Sequence, residues 1–103
     1  MSSEIESLNV QDVGPYADLV ARPNPHGLVL HFTPALVAIL HSVERQKGVP
    51  LTQPEAEAIR DRVSVIAMPA AMVAALEGQR GYRDIDPAHC WREWLVARSE
   101  LAG

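Results

Sequence analysis

The chain contains one cysteine, Cys90, in 103 residues. A lone thiol closes no internal disulfide and builds no cysteine-based zinc site, so the fold is expected to rest on its core alone. Aromatics are also scarce, with two Trp, two Tyr and one Phe, which leaves an aliphatic, alanine-rich interior. No apolar run approaches the roughly 18 residues that a membrane-spanning helix needs. The opening segment Met1-Ser2-Ser3-Glu4-Ile5-Glu6 has neither the basic start nor the apolar stretch of a secretory signal. The expected location is therefore cytoplasmic. A phosphate-binding glycine loop, a nucleophile elbow and a dinucleotide fingerprint are all missing.

Basic excess is missing as well. The formal net charge is −4, and its placement is informative. Residues 1–20 hold Glu4, Glu6, Asp12 and Asp18 and no Lys or Arg. Taking those four from the thirteen acidic residues leaves nine, which the nine basic residues balance. A neutral body lacks the basic face that sequence-independent nucleic-acid binding requires. Eight of the nine basic residues are Arg, and with abundant Ala this bias points to a GC-rich bacterial genome.

What is present fits one domain. A chain of this length buries about 60% or more of its unfolded surface, and 48% hydrophobic residues supply a core. Residues 1–13 show little periodicity and are expected to form an acidic, fraying leader. The domain is expected to span 14–103. Gly14-Pro15 marks a turn, and Tyr16 to Ala21 has room for one helical turn before Pro23 and Pro25. Leu28-Val29-Leu30-His31-Phe32 is rich in strand formers, but no partner run follows across a short turn. It reads as an extended segment packed on helices, the alternative being a strand that pairs with another molecule.

Four helices are predicted, over about 34–47, 53–67, 69–78 and 87–101. Thr33 and Pro34 suit the cap and first position of the first helix. Leu36, Ile39, Leu40 and Val43 form its apolar stripe, and Gly48 suits its end. Thr52 and Glu55 have capping-box spacing for the second helix, whose stripe is Ala56, Ile59, Val63 and Ile66. Pro69 breaks that pattern and opens the third, which Gly78 closes. Asp86 caps the fourth and Pro87 starts it, with Trp91, Trp94, Leu95, Arg98 and Leu101 on one face. The expected class is all-α: a compact bundle of about four helices with an extended N-terminal arm.

Chemistry is hard to assemble from this order. His26, His31, His41 and His89 are scattered, and only His41 and Glu44 share a helix side, so no metal site is expected. His89 and Cys90 diverge by about 100° around a helix and cannot act as base and nucleophile together. Cys90 stands near a helix start, which favours a thiolate, yet it adjoins the Trp91 face and is expected to be buried. Asp84 and Asp86 lack the further oxygen ligands of a calcium loop. A helix-turn-helix would place Glu55 and Glu57 against DNA phosphates. Trp91 and Trp94 are expected to close the core, the alternative being a partner-binding face that they form with Arg98. The loop over 78–85 is the better contact surface, because Arg80, Tyr82, Arg83 and Asp84 offer charge-assisted hydrogen bonds to another protein.

The runs His31-Phe32-Thr33-Pro34-Ala35-Leu36-Val37-Ala38-Ile39-Leu40, Gly48-Val49-Pro50-Leu51-Thr52 and Arg80-Gly81-Tyr82-Arg83-Asp84-Ile85-Asp86-Pro87 through Cys90-Trp91 resemble small bacterial immunity-type proteins encoded beside secreted or polymorphic toxins. The resemblance spans most of residues 28–95 and carries over no functional residues. It implies a protein that binds and blocks a cognate toxin. The expectation is thus a non-enzymatic protein-binding protein without cofactor, metal, nucleic-acid or membrane partner. It is expected to contact a partner through Arg80, Tyr82, Arg83 and Asp84. The alternative is a helical accessory or regulatory domain that homodimerises with weak or no DNA binding.

Overall fold

The computed structural model describes residues 6–102. The element order is β1 (Val13–Pro15), α1 (Tyr16–Val20), β2 (Val29–Phe32), α2 (Leu36–Lys47), α3 (Gln53–Arg62), β3 (Ser64–Met68), α4 (Ala70–Arg80), a 3-10 turn (Pro87–His89) and α5 (Cys90–Ala102). The strands form an antiparallel sheet in the order β1-β3-β2. The fold therefore mixes helices with a three-stranded sheet, and the all-α bundle is corrected.

The error lies at residues 63–68. The second helix was expected to run to 67, but it stops at Arg62 and the chain becomes β3. Val63 and Ile66 fit helical spacing after Ile59, whereas Val63, Val65 and Ala67 also alternate as a strand does. Tertiary pairing decides between the two patterns. Val13 pairs with Ile66 on one side, and Leu30 pairs with Ala67 on the other. Val65 and Ala67 are then buried at 2% and 0% exposure. Residues 28–32 had a partner after all, about 35 positions ahead and not across a turn.

The outer edge of β2 is closed by side chains. The Ala67 N–H donates to the Asp12 carbonyl at 2.9 Å, and its carbonyl accepts from Gln11 at 2.8 Å. Its peptide groups thus face β1, so the Leu30–Ala67 pair is a non-hydrogen-bonded one and the Leu30 groups point outward. Next along that edge, the Asn24 amide accepts from the Leu28 N–H at 2.8 Å and donates to its carbonyl at 2.7 Å. Beyond Leu30, Arg80 Nη2 donates to the Phe32 carbonyl at 3.2 Å. Two plugs on so short a strand leave little edge for another chain to pair with.

Several local expectations hold. Thr52 and Glu55 form the reciprocal capping box of α3. Gly48 ends α2 at φ +84°, a conformation that a Cβ would strain. Asp86 Oδ1 accepts from the Ala88 N–H at 2.9 Å and starts the last helical segment. Other boundaries move. Thr33 and Pro34 lie outside α2, which begins at Leu36 after an extended Ala35. The third helix passes Gly78 and ends at Arg80, with Gly81 in the left-handed region. Residues 1–5 of the expected leader lie outside the described residues. Leu8 is 1% exposed, and its N–H donates to the Pro23 carbonyl at 2.8 Å, so the chain is packed from there onward.

The core is built by Leu8, Tyr16, Leu19, Phe32, Leu36, Leu40, Ile59, Val65 and Trp94, with Cys90 among them. On α5 Cys90 and Trp94 are buried and Ala97 partly so, spaced i, i+4 and i+7. Leu95 and Leu101, expected on that face, are instead 38% and 52% exposed. Arg98 turns to Glu44 at 3.3 Å and ties α5 to α2.

Candidate functional site: a groove between two helices

The first turn of a helix has N–H groups without intrahelical acceptors, and a short polar side chain at the cap usually takes one. The cap position of α2 is Ala35, which has no such side chain. Asp84 supplies the acceptor from 48 residues away. Its Oδ2 accepts from Leu36 at 2.6 Å and its Oδ1 from Val37 at 2.9 Å. Oδ1 also accepts from the Ile85 N–H at 2.8 Å. The carboxylate thereby fastens the loop after α4 to the start of α2. Glu93 does the same further on, taking the Asp86 N–H at 2.5 Å.

This fastening makes a groove. One wall is α2 at Val37, Ala38 and His41, the other is α5 from Arg92 to Leu101, and the loop over 82–85 lies at one end. The cavity measures about 860 Å³, within the usual range of ligand-sized clefts. Its surface is mostly apolar. Val96 is 59% exposed, Leu101 52% and Tyr82 47%. Large apolar side chains gathered on one concavity differ from apolar residues scattered singly.

Three of the four residues expected to contact a partner line this groove: Tyr82, Arg83 and Asp84. Asp84 is spent on backbone N–H groups and acts there as a brace. Arg80 stands behind the groove. Besides its bond to Phe32, its guanidinium lies 5.5 Å from the Tyr82 ring centroid, a cation–π arrangement. It also faces His31, which is buried in β2. Burial, then the Arg80 charge, lower the His31 pKa from its ordinary value, with Asp84 and Glu77 opposing.

Sequence reasoning missed the helical walls. Val37 and Val96 belong to none of the predicted stripes, and nothing local says that their two helices leave a gap. The available signal was the line Cys90, Trp94 and Ala97, which turns Val96 about 120° away from the core; Leu101 continues that line and is exposed near the end of the helix.

The remaining polar groups serve the core. Burial pushes the Cys90 thiol up to about 11, against the opposing charge of Arg60. Its Sγ sits 4.0 Å from the Ala56 carbonyl, so at neutral pH it is a packed thiol and not a nucleophile. Arg60 donates to Asp61 at 3.0 Å and to the Pro87 carbonyl at 3.0 Å, and lies over the Tyr16 ring. Burial raises the Tyr16 pKa. Among the described residues no group of three or more His, Cys, Asp or Glu converges as metal ligands. No helix among them is long and apolar enough to cross a membrane. No family model matches the chain, and the comparisons with curated proteins and with solved structures give no match either.

Proposed function

We propose that this chain is a non-enzymatic protein-binding domain that docks a partner in the groove between α2 and α5, as an immunity protein blocks a cognate bacterial toxin. The carrying observation is the convergence of half-exposed Tyr82, Val96 and Leu101 on one cavity of about 860 Å³. Burying such side chains against a partner removes apolar surface from water at about 25 cal/mol per Å². The wall chemistry supports binding over catalysis, since Asp84 and Glu93 accept backbone N–H bonds. Cys90 is buried in the core. The toxin as partner class comes from the immunity-type resemblance, in which Arg80-Gly81-Tyr82-Arg83-Asp84 takes part. Neutralisation of this kind needs no bond-making, only the covering of the partner's site. A cytoplasmic location suits a chain whose single thiol stays unpaired.

The test is co-purification of the tagged full chain from its native host, with partners identified by mass spectrometry and compared across variants. Val96→Asp and Tyr82→Ala should each weaken capture of the true partner by at least about tenfold, since the first sets a bare charge in the interface and the second removes an aromatic anchor. Val49→Asp, on an exposed apolar residue outside the groove (54% exposed), should keep the partner. When the partner is a toxin encoded nearby, co-expression should restore growth with the wild type and not with Val96→Asp. A partner retained by both groove variants would sink the reading. A two-chain mass with no second protein would replace it with homodimerisation.

A further inference from the structure

We infer that the occupant of this groove is an amphipathic helix of the partner that runs antiparallel to α5 and carries carboxylates in its C-terminal turn; this rests on the groove-docking reading above. The groove wall on α5 has helical spacing. Glu93, Val96, Ala97, Glu100 and Leu101 recur at i, i+3, i+4, i+7 and i+8, the stripe by which one helix seats another. From Arg92 to Leu101 that wall is about 13 Å long at 1.5 Å per residue, which spans side-chain anchors at i, i+4 and i+7 of an incoming helix. The opposite wall, Val37 to His41, also comes from a helix.

Charge gives the direction. The end of the groove near the loop over 82–85 holds Arg83 and Arg92. Neither makes a hydrogen bond or ion pair among the described residues. The carboxylates at that end, Asp84 and Glu93, are already bonded to backbone N–H groups. The starts of α2 and α5 point to the same end, each already capped by a carboxylate, Asp84 and Asp86, so the unpaired guanidinium groups of Arg83 and Arg92 are what that end offers a ligand. At the far end Glu100 stands beside Leu101 with no partner among the described residues. The groove is thus polarised, with free guanidinium donors at one end and a free carboxylate at the other. A docked helix meets this field when its negative C-terminal end lies by Arg83 and Arg92 and its positive N-terminal end lies by Glu100. Acidic side chains in its last turn then find two forked donors without an internal competitor.

The probe is a fluorescein-labelled amphipathic peptide of about 14 residues, long enough to cover the groove. Its Leu anchors stand at i, i+4 and i+7, and two Glu stand in its last turn. A twin carries the two Glu in its first turn. That twin is the better isolated helix, so helicity alone favours it and cannot imitate the expected result. In anisotropy titrations with the full chain at about 50 mM salt, the C-terminal Glu peptide should bind roughly tenfold tighter than its twin, as two rim ion pairs allow. Arg83→Gln/Arg92→Gln should erase the preference. Arg83→Glu/Arg92→Glu should reverse it, and Val96→Asp should abolish both bindings. Unchanged thermal midpoints confirm that these surface variants fold. Equal affinities, a preference for the twin, or no binding of either peptide up to about 1 mM overturns the inference. When partner capture still depends on Val96 in that case, groove docking stands and the helix polarity falls. When Val96→Asp changes neither capture nor peptide binding, both fall.

Discussion

The helices α2 and α3 solve one physical problem in opposite ways. Both begin with N–H groups that need acceptors. For α3 the answer lies within four residues: Thr52 Oγ1 accepts from the Glu55 N–H at 3.4 Å, and Glu55 Oε1 accepts from the Thr52 N–H at 2.9 Å. For α2 the cap position is an alanine, and the acceptor is Asp84, 48 residues later. The local solution serves its own helix start, with only a surface pair from Glu55 to Lys47 reaching α2. The distant one costs more chain entropy to assemble, yet it also positions a loop and so builds the end of the groove. A helix start lacking its own cap is therefore a place where tertiary structure, and with it a site, is attached.

The sharpest way to break this comparison is Asp84→Ala. Three backbone N–H groups lose a charged acceptor, so stability should fall by roughly 2–3 kcal/mol, with a thermal midpoint lower by about 10 °C or more. Hydrogen exchange at the Leu36 and Val37 amides should accelerate beyond the global change, and groove binding should weaken with it. Normal protection there would show that the distant cap is dispensable. Thr52→Ala should cost less, about 1 kcal/mol, and should leave both the Leu36 amide and groove binding as they were. Combined with Asp84→Ala it should be additive within about 0.5 kcal/mol, because the two caps share no partner.

Acid should separate the two helix starts more gently. Burial and the Arg80 charge lower the His31 pKa below its ordinary 6.5. The folded protein then binds fewer protons there than the unfolded chain, so this stability is complete above pH 6.5 and is lost as pH falls below it. Protonated His31 repels Arg80, next to the loop that Asp84 holds. Protection of the Leu36 and Val37 amides, corrected for the intrinsic exchange rate, should therefore fall below pH 6.5 more than protection at Glu55. A His31→Asn variant should flatten that difference.

The smallest effect belongs to the surface pair of Lys47 with Glu55 beside the capping box. The hydrogen bond from Lys47, then the Thr52 backbone, hold the Glu55 carboxyl down to about 2 from an ordinary 4.5. Its contribution is present above pH 4.5 and disappears as pH falls through about 2. The pair with Lys47 lies at the surface, so Lys47→Ala should move the midpoint only slightly, and less at high salt. A large loss from Lys47→Ala would mean that the α3 start also depends on contacts beyond its own turn.

How much was legible follows the same division. Thr52 with Glu55, Gly48, Asp86 with Pro87 and the burial of Cys90 were readable because each is decided within a few residues or by an apolar neighbour on the same helix. The groove was half readable. Tyr82, Arg83 and Asp84 stood out as a polar loop, but half-buried Val37 and exposed Val96 carry no local mark of lining a groove. Their gap exists only because α5 buries Cys90 and Trp94 and is held to α2 through Arg98 and Glu44. Thr33 and Pro34 had good credentials as a helix start, yet α2 begins at Leu36, where Asp84 reaches the Leu36 and Val37 N–H groups.

By itself the sequence determined the capping box of α3, the Gly48 stop of α2, the Asp86 cap, the pairing-free cysteine, the charge balance beyond residue 20 and the apolar stripe of α2, because these follow from short-range sterics, hydrogen bonding and charge. Only the tertiary structure decided that Ser64–Met68 is a strand, that Asp84 caps a helix far from it in the chain, and that a groove opens between α2 and α5. A strand needs edges to bond to, and those edges, Val13–Pro15 and Val29–Phe32, come from about 50 and 35 residues earlier. A side chain that satisfies a backbone group across 48 residues leaves no trace in any local window, and a groove is a property of two surfaces that fail to meet.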